Sequence, residues 1–175
     1  MASPRIGSRY VSVQRHDRDV VLTLELTHDL TLGSPRRKRK ALGILKRLLR
    51  KACTDSLLCS GRTITASFQE IPGMDLRRLL LRIDAAIDGF RAEKLHPKEV
   101  EEVLGITALE RIRWTKDGRI PQSGTGSFGV GQRSIRFPLH PGDGIAALAG
   151  PAGIVEEWRA IDANMRSHMS VKTEP

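Results

Sequence analysis

Aromatic side chains make up 4% of the 175 residues, only two cysteines are present, and no apolar run approaches the roughly 20 residues of a bilayer-spanning helix. Each shortage removes a class of protein. With few aromatics the core must be built from Leu, Ile, Val and Ala, and a surface that stacks unpaired bases is disfavoured. Cys53 and Cys59 fall in one ACTDSLLCS segment, form no disulfide framework, and read as buried or incidental thiols. His16, His28, His96, His140 and His168 stand singly, so no metal-ligand spacing arises and no zinc site is expected. The N-terminal stretch MASPRIGSRYVSVQRHDRD lacks the apolar middle of a signal peptide, which predicts a cytoplasmic protein with no membrane partner.

What the chain has in excess is positive charge. The net charge is +9, and its distribution is uneven. Residues 1–60 hold thirteen Lys and Arg against five Asp and Glu, whereas residues 61–94 hold six against five. The remainder is close to balance, so nearly all the surplus sits in the first third. A polyanion, most simply nucleic acid, is the natural partner of such a field.

Local patterns divide the chain in two. Residues 1–17 are polar and aperiodic and read as a loose arm, and HDRD at 16–19 reads as a charged loop. DVVLTLELT, from Asp19 to Thr27, alternates as a half-buried strand does, and an exit loop follows from His28 to Gly33. Ser34 and Pro35 then supply an N-cap and a first helical position. On a helical wheel of the next seventeen residues, Ala41, Leu42, Ile44, Leu45, Leu48, Leu49 and Ala52 share one side. The other side is wholly basic. Five consecutive cations, Arg36 to Lys40, oppose the helix dipole, a local cost that a purely structural helix avoids. Arg36, Arg37, Arg39, Lys40, Lys46, Arg47 and Arg50 are therefore candidate phosphate contacts. Residues 61–71 read as a second strand, and Leu76, Leu79, Leu80, Ile83, Ile87 and Phe90 mark a helix running from Asp75 to about Ala92. The order β, α, β, α, with no visible internal repeat, predicts a small basic α+β unit over residues 1–94.

In LHPKEVEEVLGITALERIRWTKDGRIP, residues 95–121, the signals agree closely. Pro97 opens a short helix to Leu104, Gly105 permits a left-handed turn, Thr107 caps a second helix, and Gly118 ends it. Two short helices joined around a glycine are a helix-turn-helix. The spacing LxPKEVxxxLGIT, with Trp114 nine residues after the turn glycine and then DGRIP, resembles the MerR-type winged helix-turn-helix of excisionases, AlpA-like regulators and some phage terminase small subunits. The resemblance covers these 27 residues well and extends to about residue 145. It implies that Trp114 packs beneath the recognition helix, that residues 118–121 lead into a β-hairpin wing lying on DNA, and that a short helix opened by Asp143 follows. Arg111 and Glu110 depart from the family pattern, which favours an apolar residue and a contact residue at those places. By helix exposure, Ala108, Arg111, Arg113 and Lys116 are expected to face DNA beyond the Thr107 cap, with Leu109 and Ile112 in the core. Arg111 and Arg113 are then the candidates for reading guanine.

The run GTGSFGVG, residues 124–131, invites a nucleotide-loop reading that its neighbours defeat. No lysine follows on the next strand, no Gly-Lys-Ser/Thr is present, and the kinase metal-binding and catalytic motifs are missing. It reads instead as the flexible tip of a hairpin with strands from Arg119 to Phe128 and from Gln132 to Leu139, carrying Arg119, Arg133 and Arg136 to the DNA backbone. Residues 151–166 form a last helix with Ile154, Val155, Trp158 and Ile161 on its apolar side, suited to packing on the motif or pairing with another copy.

The expected fold is α+β, a small N-terminal α/β unit followed over 95–175 by a winged helix-turn-helix with a C-terminal helix. The expected function is that of a non-enzymatic, sequence-specific, nucleoid-associated binder of double-stranded DNA, a transcriptional regulator or mobile-element accessory factor. No catalytic residues, cofactor or small-molecule ligand are expected, and both a homodimer and a monomer stay open. The alternative is an adaptor in a nucleoprotein complex, with the basic helix on RNA or an acidic protein.

Overall fold

The computed structural model describes residues 7–17, 19–50, 56–69, 75–130, 133–150 and 152–171, and their side chains except at 130, 133 and 166–171. These residues form two compact units, Met1–Glu93 and Lys94–Pro175.

The first unit strings together β1 (Val11–His16), β2 (Asp19–Glu25), α1 (His28–Thr31), α2 (Pro35–Arg50), β3 (Ser56–Ser60), β4 (Thr63–Gln69) and α3 (Leu76–Arg91). Its sheet is antiparallel throughout, in the order β1-β2-β4-β3. The register pairs Val20 with Phe68, Leu22 with Ala66 and Leu24 with Ile64, so every second residue of the two central strands turns to one face. That face is buried under Ala41, Leu45 and Leu49 of α2 and Leu76, Leu79, Leu80, Ile83, Ile87 and Phe90 of α3. Val21, Thr23, Thr65 and Ser67 occupy the other face, half-buried. Local capping fixes where the helices begin. Ser34 Oγ accepts from the Arg37 amide at 3.2 Å, and Asp75 Oδ1 accepts from the Arg78 amide at 2.9 Å.

Several elements differ from the sequence expectation. Residues 11–16 of the supposed arm are β1, part of HDRD is the β1–β2 turn with Asp17 at φ 53°, and the cysteine-containing segment supplies β3, with Cys59 free and exposed. Cys53 lies outside the described residues. Hairpin and helix therefore occur twice in succession, where the sequence shows no repeat. A single helical turn, α1, also stands where an exit loop was expected.

The second unit runs α4 (Pro97–Leu104), α5 (Ala108–Lys116), β5 (Gly124–Val130), β6 (Arg133–Leu139), α6 (Gly142–Ala149) and α7 (Ile154–Val171). Both short helices open with reciprocal capping. The His96 amide donates to Glu99 Oε2 at 2.7 Å, and the Thr107 amide donates to Glu110 Oε2 at 2.7 Å while Thr107 Oγ1 accepts from the Glu110 amide. Between the helices Gly105 sits at φ 64°, where a side chain is disfavoured. Leu95, Val100, Trp114, Ile120 and Ile145 are fully buried, and Trp158 of α7 meets Trp114 edge-on at 5.0 Å.

The facing of α5 differs from the expected one at three positions, while Arg113 and Lys116 are exposed as expected. Leu109 and Ile112, expected in the core, are 78% and 54% exposed, and Arg111 points inward. The cause is Trp114, whose burial fixes the inner face. Arg111, three residues earlier, shares that face, while Leu109, Ile112 and Lys116 fall on the other. The hairpin also differs. Residues 119–123 are not strand, and the glycine run is not a tip but forms most of β5, directly paired with β6. Residues 131 and 132, between the two strands, lie outside the described residues. Gly126 lies opposite Phe137, whose ring comes within 2.5 Å of where a Cβ would sit, so only glycine fits. The same ring meets His96 edge-on at 4.6 Å, which anchors the hairpin to the start of α4.

Candidate nucleic-acid interface

In the second unit, α5 and the hairpin flank an open groove of about 550 Å³. Ile112, Thr115 and Lys116 contribute from α5, and Thr125, Ile135 and Arg136 from the hairpin. No carboxylate is among the lining residues, and its cations are Lys116, Arg136 and, at its base, Arg111, which is paired with Glu101.

The other arginines expected to face DNA are held by carboxylates to different degrees. Arg111 is the correction: its side chain is 10% exposed and its Nε donates to Glu101 Oε1 at 3.0 Å, so it braces α5 against α4 and is not displayed for base reading. Burial alone raises the Glu101 carboxyl, but hydrogen bonds from Lys98 and Arg111 outweigh it and leave its pKa below the usual carboxylate value. Arg113, half-exposed, donates to Asp162 Oδ2 of α7 at 2.7 Å. Asp162 also accepts from Trp114 Nε1 at 2.9 Å and from Arg119 Nη2 at 2.8 Å. Burial pushes this carboxyl up, yet the donors from Arg119, Trp114 and Arg113 prevail and bring it down to about 2. Arg119 is doubly held, by Asp117 and Asp162, with its guanidinium over Trp114 and Trp158. It serves as a strut more than as a free contact. Thr107 is exposed at the helix cap and Ala108 is half-buried beside it. The Arg133 side chain lies outside the described residues.

Glu110, unexpected at its position by family resemblance, has a structural role. Arg159 of α7 donates to it at 2.7 Å and, with the Thr107 hydrogen bonds, takes its pKa to about 2 against the opposing effect of burial. The α7 helix thus grips α5 at both ends, through Arg159 to Glu110 and through Asp162 to Arg113.

In the first unit, Arg36, Arg39, Lys40, Lys46, Arg47 and Arg50 lie on the exposed side of α2. Lys40 is paired with Glu93 at 2.5 Å. Arg37 is not on that side. It is 2% exposed, stacks over Phe90 at 4.3 Å and donates to the Leu30 and Phe90 carbonyls, because its position on the wheel falls over the gap between α2 and α3. Its role is to tie the helices together. Arg77, Arg78 and Arg82 of α3, which were not among the expected contacts, are exposed. A helical wheel of residues 76–91 does place them opposite the apolar stripe, a signal hidden by the net charge of only +1 over residues 61–94.

Among the described residues no group of three or more His, Cys, Asp and Glu is placed to hold a metal ion, and no helix is long and apolar enough to cross a membrane. No family model matches the chain, and comparison with curated proteins and with solved structures finds no match.

Proposed function

We propose that the chain is a non-enzymatic, sequence-specific binder of double-stranded DNA whose second unit acts as a winged helix-turn-helix. The observation that carries this reading is the groove between α5 and the β5–β6 hairpin, bordered by Lys116 and Arg136 and free of carboxylates in its lining. A recognition helix enters the major groove while the wing rests on the adjacent backbone. With α5 phased by Trp114, the side chains offered to base edges are Leu109, Ile112, Arg113 and Lys116. Branched apolar groups suit the C5-methyl of thymine, and Arg113, released from Asp162, suits guanine. Regulation of transcription and assistance to a mobile element are both served by such a module.

Selection from a random duplex pool, followed by titration of the recovered site and a scrambled control, tests the reading. An enriched motif containing A·T pairs supports it, and failure to bind any duplex overturns it. One observation favours a second reading, that of an adaptor in a nucleoprotein complex: Leu109, Ile112, Phe128 and Ile135 are all more than half exposed. Such apolar exposure fits a protein partner. Loss of a partner protein on Phe128→Ser, with DNA selection returning no motif, favours the adaptor.

A further inference from the structure

The two helices that cover one face of the first unit's sheet share an uncompensated outer surface. The start of α2 lies beside the end of α3, as the Lys40–Glu93 ion pair and the hydrogen bond from Arg37 to the Phe90 carbonyl require, so the helices run antiparallel. Carboxylates in this layer are already occupied. Asp84 is buried and accepts from Ser8 Oγ and the Arg9 amide, Asp88 accepts from Tyr10 and Arg9, and Glu93 takes Lys40. Among the described residues, no carboxylate pairs with Arg39, Lys46, Arg47 and Arg50 on α2 or with Arg77, Arg78 and Arg82 on α3, and all of these are exposed.

We propose that the outer faces of α2 and α3 together form a second, sequence-independent binding surface for the phosphates of duplex DNA. This rests on the reading of the chain as a DNA-binding protein, and it adds α3 to a contact that the sequence confines to α2. Sixteen residues at ~1.5 Å rise make each helix about 24 Å long, and packed helices lie about 8–10 Å apart. A duplex segment of that length carries roughly 14 phosphates, more than the cations available to meet them. Leu81 is the one large apolar side chain exposed on these outer faces, and no aromatic is there to stack a base. That composition favours a paired backbone over unpaired strands. Neither helix has an acid in its first turn, where Arg36 on α2 and Arg77 and Arg78 on α3 oppose the dipole, and only α3 has an acid, Asp75, at its N-cap. A bound phosphate reverses that cost.

The full-length chain carrying Arg77→Gln, Arg78→Gln and Arg82→Gln tests the surface. Fluorescence anisotropy against random duplex DNA over a salt series should show affinity lowered roughly tenfold or more at low salt, and the slope of log K against log salt shallower by roughly 2 to 3. The thermal midpoint should stay level or rise, since two of these cations oppose the helix dipole. Unchanged affinity and slope overturn the proposal, as does loss of single-stranded RNA binding with duplex binding intact. The two proposals fail separately. If selection returns no motif while the triple variant still loses random-duplex affinity, the specificity of the second unit fails and this surface stands.

Discussion

Arg111 and Glu101 meet at 3.0 Å across the turn that joins α4 to α5, each side chain about nine-tenths hidden from solvent. The pair sets the angle between the two helices, so its loss is felt as stability. Arg111→Ala leaves Glu101 with Lys98 alone and should cost about 1–3 kcal/mol in urea unfolding. Arg111→Met, which restores the volume, should recover much of that. The selected DNA motif should be the same for all three proteins, and a changed motif at unchanged stability overturns the bracing role.

Leu109 offers the opposite test. At 78% exposure it contributes little to folding, and Leu109→Gln should move the unfolding free energy by no more than about 0.5 kcal/mol. Repeating the duplex selection with this variant should shift the preferred base pair at one position. An unaltered motif removes Leu109 from the reading face.

Asp162 gathers three donors, so Asp162→Asn should weaken the hold of α7 on α5 by about 1–3 kcal/mol. The same change removes the carboxylate charge that neutralises Arg113. Non-specific duplex affinity should therefore rise at pH 7 even as the melting temperature falls, two opposite readouts from one substitution.

Acid should act on the second unit in two windows. The His140 ring is buried, which lowers its pKa despite the hydrogen bond to the Pro121 carbonyl, so the unfolded chain takes up a proton first and stability declines as pH drops below about 6.5. Asp162 and Glu110, both at about 2, lie well below their unfolded values near 4. Their contribution is complete above about pH 4.5 and is lost as pH falls toward 2. Urea midpoints followed from pH 8 to 2.5 should show both slopes. His140→Asn should abolish the first and Glu110→Gln should flatten only the second.

Gly126→Ala places a methyl group 2.5 Å from the Phe137 ring and should destabilise the second unit by about 1–3 kcal/mol. Combining it with Phe137→Leu should cost less than the two separate changes added together. Strict additivity in melting experiments shows that the ring is not what excludes a side chain there.

Helix boundaries were legible where the signal is local. Pro97, Gly105, Thr107 and Gly118 mark α4 and α5 because caps and left-handed turns act through neighbouring residues. The facing of α5 was not, since Arg111 becomes an inward residue only by meeting Glu101 on another helix. In the same way β1 and β3 are edge strands stabilised by pairing with β2 and β4. Their own patterns are weak, with Val11 and Val13 alone turned toward the core from β1. The cations of α3 were hidden by arithmetic. Over residues 61–94 five acids nearly cancel six cations, yet two of those acids, Asp84 and Asp88, turn in space toward Ser8, Arg9 and Tyr10, more than seventy residues away. The winged helix-turn-helix itself rests on the local pattern and on the groove, and the selection experiment decides it.

The strand order β1-β2-β4-β3 reads the same when the two hairpin–helix halves are exchanged. Such an arrangement has an approximate dyad between β2 and β4, normal to the sheet, and it relates α2 to α3. A DNA duplex carries dyads of its own, perpendicular to its axis. If the chain binds DNA as proposed, the two halves of one chain offer the sugar-phosphate backbone helices related by that axis, an arrangement that repressors of a palindrome obtain by joining two subunits.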